Sequence, residues 1–352
     1  MSLFERLARL RATRGEAAAR PEAACSAPAA ARPTPGSFQG SMAAREGAPG
    51  VRAFARRSPV PAARFGASEV QTACGSFCRR ARPLAVAPPA FLGRPERILT
   101  NLKLVWGVGP VTEAALKAQG VRSLTDLQEH PRWGEEARRV LALISARRAA
   151  ELRRRGASDA EILGLFRPHE VACLDIETTG LWGNQPLFLV GLLRLEGERP
   201  VLEQLFARHY SEERALLTYL AEVLAEVKAL VTFNGKRFDL PYIEQRFIYH
   251  GLPQPEELFH VDLYFHARRL PQNLPNHRLV TLEEYLLGME REGDVPGYLV
   301  PSIYHRFVET GEPELLLPVL EHNAQDVLSL ARLLHLVGRE GGRGCADAVR
   351  SG

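Results

Sequence analysis

The sequence has no run approaching the roughly 18 apolar residues of a membrane helix, although 45% of its 352 residues are hydrophobic. Its N-terminus also lacks an apolar stretch followed by a small-residue cleavage site, so neither a spanning segment nor a secretory leader is predicted. A cytoplasmic protein without membrane contact is the expectation. Cysteine is scarce. Cys25, Cys74, Cys78, Cys173 and Cys345 are odd in number and scattered, which argues against a disulfide framework. Cys74 and Cys78 have no nearby partner pair of Cys or His, so a zinc site is set aside. Lysine is absent from the first 97 residues.

What remains in that arm is arginine, and the charge is graded along the chain. Residues 1–97 hold 16 Arg and 6 Glu, residues 98–160 hold 11 basic and 7 acidic side chains, and the rest holds 18 basic and 28 acidic. Net charge therefore passes from +10 through +4 to −10, although the total is only +4. A basic lead ahead of an acidic body suits a nucleic-acid tether followed by a metal-binding enzyme. For the arm alone, Arg and Ala enrichment is equally what a GC-rich genome would give.

Four segments follow from composition and periodicity. Residues 1–97 are dense in Ala, Pro, Gly and Arg and are predicted to be a disordered arm, with Leu3, Phe4, Leu7 and Leu10 at the spacing of a short amphipathic helix. Residues 98–160 read as a small all-α module, with helices over PVTEAALKAQG, VRSLTDLQ and a long GEEARRVLALISARRAAELRRRG. Residues 166–338 change period. VACLDIE, PLFLVGLLRLEG and PVLEQLFA predict three successive strands, followed by a helix, the strand ALVTFN, the helix DLPYIEQRFIYHG, the strand FHVDLYF, a helix at TLEEYLLG with a Thr281–Glu284 capping box, and a long helix through ELLLPVLEHNAQDVLSLARLLHLV. That order predicts an α/β fold with a mixed sheet flanked by helices. Residues 339–352, rich in glycine, are predicted to be a flexible tail.

The chemistry lies in carboxylates. Asp175 and Glu177 sit two apart near the end of an apolar strand, so strand alternation points both to one face. Two like charges in so apolar a setting need a cation or a proton between them. Hard oxygen donors with no cluster of His or Cys favour Mg²⁺ or Mn²⁺ over Zn²⁺. Asp239 opens a helix after the Asn234–Gly235 turn, where an ordinary helix cap competes with a ligand role. Asp326 lies in a long apolar helix with His322 one turn earlier on the same face, and both need polar partners. Asp262, in FHVDLY, is expected to be structural.

These segments resemble a known family. D-I-E-T-T-G at 175–180, N-G-x-x-F-D at 234–239 and H-N-A-Q-D at 322–326 are similar in residues, order and spacing to the three exonuclease motifs of the DEDD (DnaQ-like) superfamily. LLGMEREGDVPG and the H-N-x-x-D-V motif resemble, more narrowly, the YprB-type ribonuclease H-like bacterial proteins. The resemblance implies a ribonuclease H-like fold, Asp175, Glu177, Asp239 and Asp326 as ligands of two Mg²⁺ or Mn²⁺ ions, and His322 as general base. Thr178 and Asn234, inside the first two motifs, are expected to contact nucleic acid. One spacing differs: in the histidine branch of that superfamily the base precedes the last Asp by five residues, and His322 precedes Asp326 by four.

In the all-α module, Gly107, Val108 and Gly109 form a turn between helical segments and resemble a helix-hairpin-helix DNA-binding motif, with Ala115 and Leu116 packing inward. Such a turn offers backbone N–H groups to a phosphate, and Lys117, Arg122 and the Arg147–Arg155 stretch add attraction that salt weakens. The expected activity is a 3′→5′ exonuclease hydrolysing phosphodiester bonds with two metals about 4 Å apart, on DNA in preference to RNA. A structure-selective endonuclease and a non-catalytic nucleic-acid-binding protein are the alternatives.

Overall fold

The computed structural model describes residues 59–85, 92–269, 274–291 and 293–343. The expected helix at Leu3, Phe4, Leu7 and Leu10 and the expected disorder of residues 1–58 fall outside them.

Within that range the chain builds β1 (Ser68–Thr72), β2 (Gly75–Pro83), α1 (Pro110–Ala118), α2 (Gly134–Ser145), α3 (Ala149–Arg154), β3 (Val171–Thr178), β4 (Leu187–Glu196), β5 (Arg199–Phe206), α4 (Glu213–Glu226), β6 (Ala229–Thr232), α5 (Asp239–His250), β7 (Phe259–Asp262), α6 (Val300–Thr310) and α7 (Pro313–Arg343). The strands form one seven-stranded sheet in the order β1-β2-β5-β4-β3-β6-β7. The first five strands of that order pair antiparallel, whereas β3, β6 and β7 run parallel. This is the expected mixed sheet flanked by helices, an RNase H-like α/β fold.

Central strands are apolar because both of their faces are covered. Leu187 to Leu193 of β4 are all buried, and so are all four residues of β6. On α7, Leu316, Leu320, Asn323, Val327, Leu330 and Leu334 recur at helical spacing, and each is at most 3% exposed. That stripe packs on β3 and β4. Gly191 makes the close approach possible: a Cβ there would lie 2.3 Å from Asn323 Oδ1 and 2.8 Å from Val327 Cγ2.

The largest departure from expectation is the hairpin β1–β2. Within the span expected to be a disordered arm, Ala62, Phe65, Phe77 and Cys78 are buried in the main core, and β2 pairs with β5 from Cys78↔Phe206 to Pro83↔Val201. A short helix, Glu96–Leu99, also begins before residue 98. Averaging composition over 97 residues hid these short apolar patterns among Ala, Pro and Arg.

Four smaller corrections have local causes. The long helix expected from Gly134 to Gly156 is two, α2 and α3, broken at Arg147, whose φ is 49°. Thr281 does not cap a helix: the helix begins at Leu279, and the Thr281 hydroxyl donates to Asn276 Oδ1 at 2.7 Å. The strand expected over FHVDLYF stops at Asp262, whose side chain accepts from Tyr264 N and opens a short helix, Leu263–Ala267. Finally, α7 continues to Arg343, into the segment expected to be a flexible tail, and α6 was not foreseen.

The helical module closes around Ile98, Leu102, Leu104, Val140, Leu152 and Ile162. It covers the β7 edge of the sheet. Phe166 stacks on Phe259 at 5.7 Å, and Arg153 donates to the His260 carbonyl at 3.1 Å, occupying an edge acceptor that would otherwise invite another strand. No helix among the described residues is long and apolar enough to cross a membrane.

Candidate metal centre

Alternation along β3 sends Asp175 and Glu177 to the face on which α7 packs. Asp239, the first residue of α5, and Asp326, midway along α7, arrive from other elements and lie close enough to both to repel them. Burial, then repulsion from Asp326, Asp239 and Glu177, pushes the Asp175 carboxyl far above the ordinary range. Burial and repulsion from Asp326, Asp239 and Asp294 do the same to Glu177. Asp239 is pushed up to about 7, chiefly by burial, against the opposing pull of backbone N–H groups. Burial also raises Asp326, opposed by Arg291 and His322. Four carboxylates that resist ionising together form a site waiting for positive charge.

The centre is deep but reachable. The side chains of Glu177, His322 and Asp326 keep 13%, 11% and 15% of their accessible surface, and each offers a ligand atom within 4.8 Å of the others. His322 Nε2 lies 3.8 Å from Glu177 Oε1 and 3.5 Å from Asp326 Oδ2, and its Nδ1 lies 2.7 Å from Asp294 Oδ1. Burial alone would raise Asp294, but the hydrogen bond from His322 and the charge of Arg291 outweigh it and hold that carboxyl below the usual range. An ionised Asp294 can only accept, so Nδ1 donates at that contact, and Nε2 is turned toward Glu177 and Asp326.

Three supporting residues were not assigned a role from sequence. Asn323, fully buried, donates to Asp175 Oδ2 at 2.9 Å and accepts from Gln204 Nε2 at 3.1 Å, fixing the carboxylate's rotamer. Arg291 bonds Asp326 and Asp294 and is clamped to the buried Glu283 by two bonds of 2.5 and 2.8 Å. Of the four carboxylates it bonds Asp326. Both Arg291 and Asp294 fall in the LLGMEREGDVPG segment, whose irregular pattern gave no periodicity from which to place a side chain.

The remaining expected residues are placed as follows. Asp262 is structural: it is buried, and it accepts from Asn234 N at 2.7 Å and Lys236 N at 3.1 Å. It thereby shapes the turn that presents Asp239. Asn234 adopts φ 64° in that turn, a conformation Asn tolerates better than most residues. The Thr178 hydroxyl turns inward to the Gly180 carbonyl at 2.7 Å. In the helical module, Gly107 takes φ 86° and Gly109 precedes α1. The segment before this turn is a short 3₁₀ turn, Leu102–Leu104, rather than a full helix. Val108 and Leu116 are buried, whereas Ala115 is exposed. Lys117 is engaged by Glu113 at 2.9 Å.

Residues 172–337 match the family described as RNase_H superfamily (RNase_H_2). This segment is an RNase H-like domain. The chain is 41% identical over 174 residues to Bacillus subtilis YprB, a protein described as uncharacterized, covering 48% of this chain and 42% of that one. It is 30% identical over 137 residues to DNA polymerase 1 of Aeropyrum pernix, covering 36% of this chain and 14% of that one. The chain thus spans less than half the length of either relative. Among solved structures, the family B DNA polymerase of Pyrobaculum calidifontis aligns at a TM-score of 0.39 and 19% identity, over 48% of this chain and 24% of that chain. That likeness is too slight to carry an argument. The carboxylates of the RNase H-like domain suit a divalent cation: the donors are hard oxygens, and burial together with neighbouring negative charge raises their proton affinities.

Proposed function

We propose that this protein is a metal-dependent nuclease, a 3′→5′ exonuclease of the DEDD type, acting on DNA in preference to RNA. The observation that carries the reading is the convergence of Asp175, Glu177, Asp239 and Asp326 from three separate elements, raised together in proton affinity. These four would hold two Mg²⁺ or Mn²⁺ ions. Bound there, the ions supply activation of a water and stabilisation of the charge on the leaving 3′ oxygen. Polarity rests on the motif resemblance.

The chain's own groups do the rest. His322, oriented by Asp294, presents Nε2 beside Glu177 and Asp326, where it can take a proton from the attacking water. Asn323 holds Asp175 in place. The loop after β3 exposes Leu181 at 78% and Trp182 at 74%, apolar surface beside the site on which an unpaired base can stack. Thr178 and Asn234 would border the strand there. The helical module, with Gly107, Val108 and Gly109 ahead of α1, is proposed as the DNA-holding unit.

The test is digestion by the purified full chain, with Mg²⁺ or Mn²⁺, of labelled single-stranded, duplex and hybrid substrates, linear and circular. The expected result is release of nucleoside 5′-phosphates from 3′ ends. Asp175→Asn should lower the rate by about three orders of magnitude, roughly 4 kcal/mol. No hydrolysis of any substrate, or an unchanged rate in Asp175→Asn, overturns the reading. Cleavage of circles overturns the exonuclease part alone.

A further inference from the structure

The acidic centre leaves one large feature of the molecule unused. Between α3 and the β7 edge lies a cleft of about 760 Å³ lined by Arg147, Arg148, Arg153, Arg154, Lys228 and Lys236, with only three glutamates among its walls. We propose that this cleft is a groove for the phosphodiester backbone of a nucleic-acid strand, leading to the carboxylates across the 233–239 loop. The proposal rests on the nuclease reading for its direction, and on its own geometry for the binding.

Three observations support it. First, the cations are held in place. Arg147 lies over the Phe166 ring at 5.4 Å and Arg153 over the Phe259 ring at 4.6 Å, and those two rings stack on one another. Guanidiniums braced on aromatic faces lose little freedom when a phosphate arrives. Second, positive charge exceeds its local balance. Arg147, Arg148, Arg153 and Lys228 have carboxylate partners, but Arg154 and Lys236 form no salt bridge with another described residue. Partial desolvation and the nearby Arg153 hold the Lys236 ammonium below its ordinary range. Third, the groove and the acidic centre share one loop. Lys236 lines the cleft and Asp239, three residues on, belongs to the centre, so their Cα atoms are at most about 11 Å apart. Asp262 pins this loop through the N–H groups of Asn234 and Lys236, so the two sites keep a fixed relation.

The experiment measures binding without hydrolysis. The full chain in chelator is titrated with a fluorescent single strand, and anisotropy is read across a salt series. Arg154→Glu with Lys236→Glu should weaken affinity by about ten-fold or more and flatten the salt slope by about 1.4, the value for two lost phosphate contacts on a single strand. Arg154→Ala with Lys236→Ala should shift both readouts in the same direction by less, and melting curves identify a variant that has merely unfolded. A control reversal on exposed positions that do not line the cleft, Arg199→Glu with Arg306→Glu, should leave affinity nearly unchanged. Equal losses in the cleft and control pairs, or none in a folded cleft pair, overturn the groove. So does complete displacement of the strand by mononucleotide at equal phosphate concentration, which would mark a lone-phosphate site. A protein that binds through the cleft and hydrolyses nothing would refute the nuclease reading alone.

Discussion

The molecule buries carboxylates in two contrasting ways. Glu203, fully buried, sits between Arg79 and Arg194 and accepts from the Tyr219 hydroxyl; burial alone would raise its carboxyl, but the two arginines outweigh it and hold it below the usual range. Glu213 accepts two bonds from Arg246, at 2.7 and 2.6 Å, and one from Leu187 N at 2.8 Å. Asp239, which is buried, and Asp175 and Glu177, which are half-buried, go the other way, raised by burial and by neighbouring carboxylates. The raised carboxyls are no less exposed than the lowered one, so the difference is the built-in cation. Where two arginines flank one carboxylate the sheet is tied together, and where one arginine meets a cluster of carboxylates the site keeps net negative charge.

Removing a member of each cluster is the strongest test of this contrast. Glu213→Ala strands the buried Arg246 and should cost about 3–5 kcal/mol in urea unfolding, whereas Asp175→Asn should raise the melting temperature of metal-free protein by relieving repulsion. Destabilisation by both would erase the distinction. Gly191→Ala should cost about 1–3 kcal/mol by overpacking, since the added methyl meets Asn323 and Val327. By lifting α7 it should also weaken Mn²⁺ affinity, readable by calorimetry. A further effect is in pH. Asp239 has a folded pKa of about 7 against an unfolded value near 3.9. The folded metal-free state therefore binds the extra proton, and stability should fall as pH rises from about 4 to about 7. Glu203 tilts the curve oppositely: its contribution is present above the unfolded pKa and lost as pH falls through the lower folded one. Asp239→Asn should flatten the neutral limb of the melting profile. An unaltered limb would show that the raised carboxyl is not responsible.

Much of this arrangement was legible in the sequence, for identifiable reasons. Two-residue alternation placed Asp175 with Glu177, a strand-turn-helix pattern placed Asp239, and helical spacing placed His322 with Asp326; each element has a period that says where its side chains point. Glu283 and Arg291 could not be read that way, because they lie in a π-helical turn and an irregular loop and meet only through tertiary packing. Asn323 was visible as part of a motif, but its bond to Asp175 depends on Gly191 letting the helix down onto β4. The β1–β2 hairpin was missed because five- and nine-residue strands were outweighed by the composition around them.

That hairpin has a practical consequence for anyone dividing this protein into pieces. A version trimmed to the span of the superfamily match would lose β2, baring the peptide groups along one side of β5 and taking Arg79 away from Glu203. Copies of such a fragment would carry a raw lateral seam open to strand-by-strand accretion, and clumping in the tube would then report the cut rather than the native molecule.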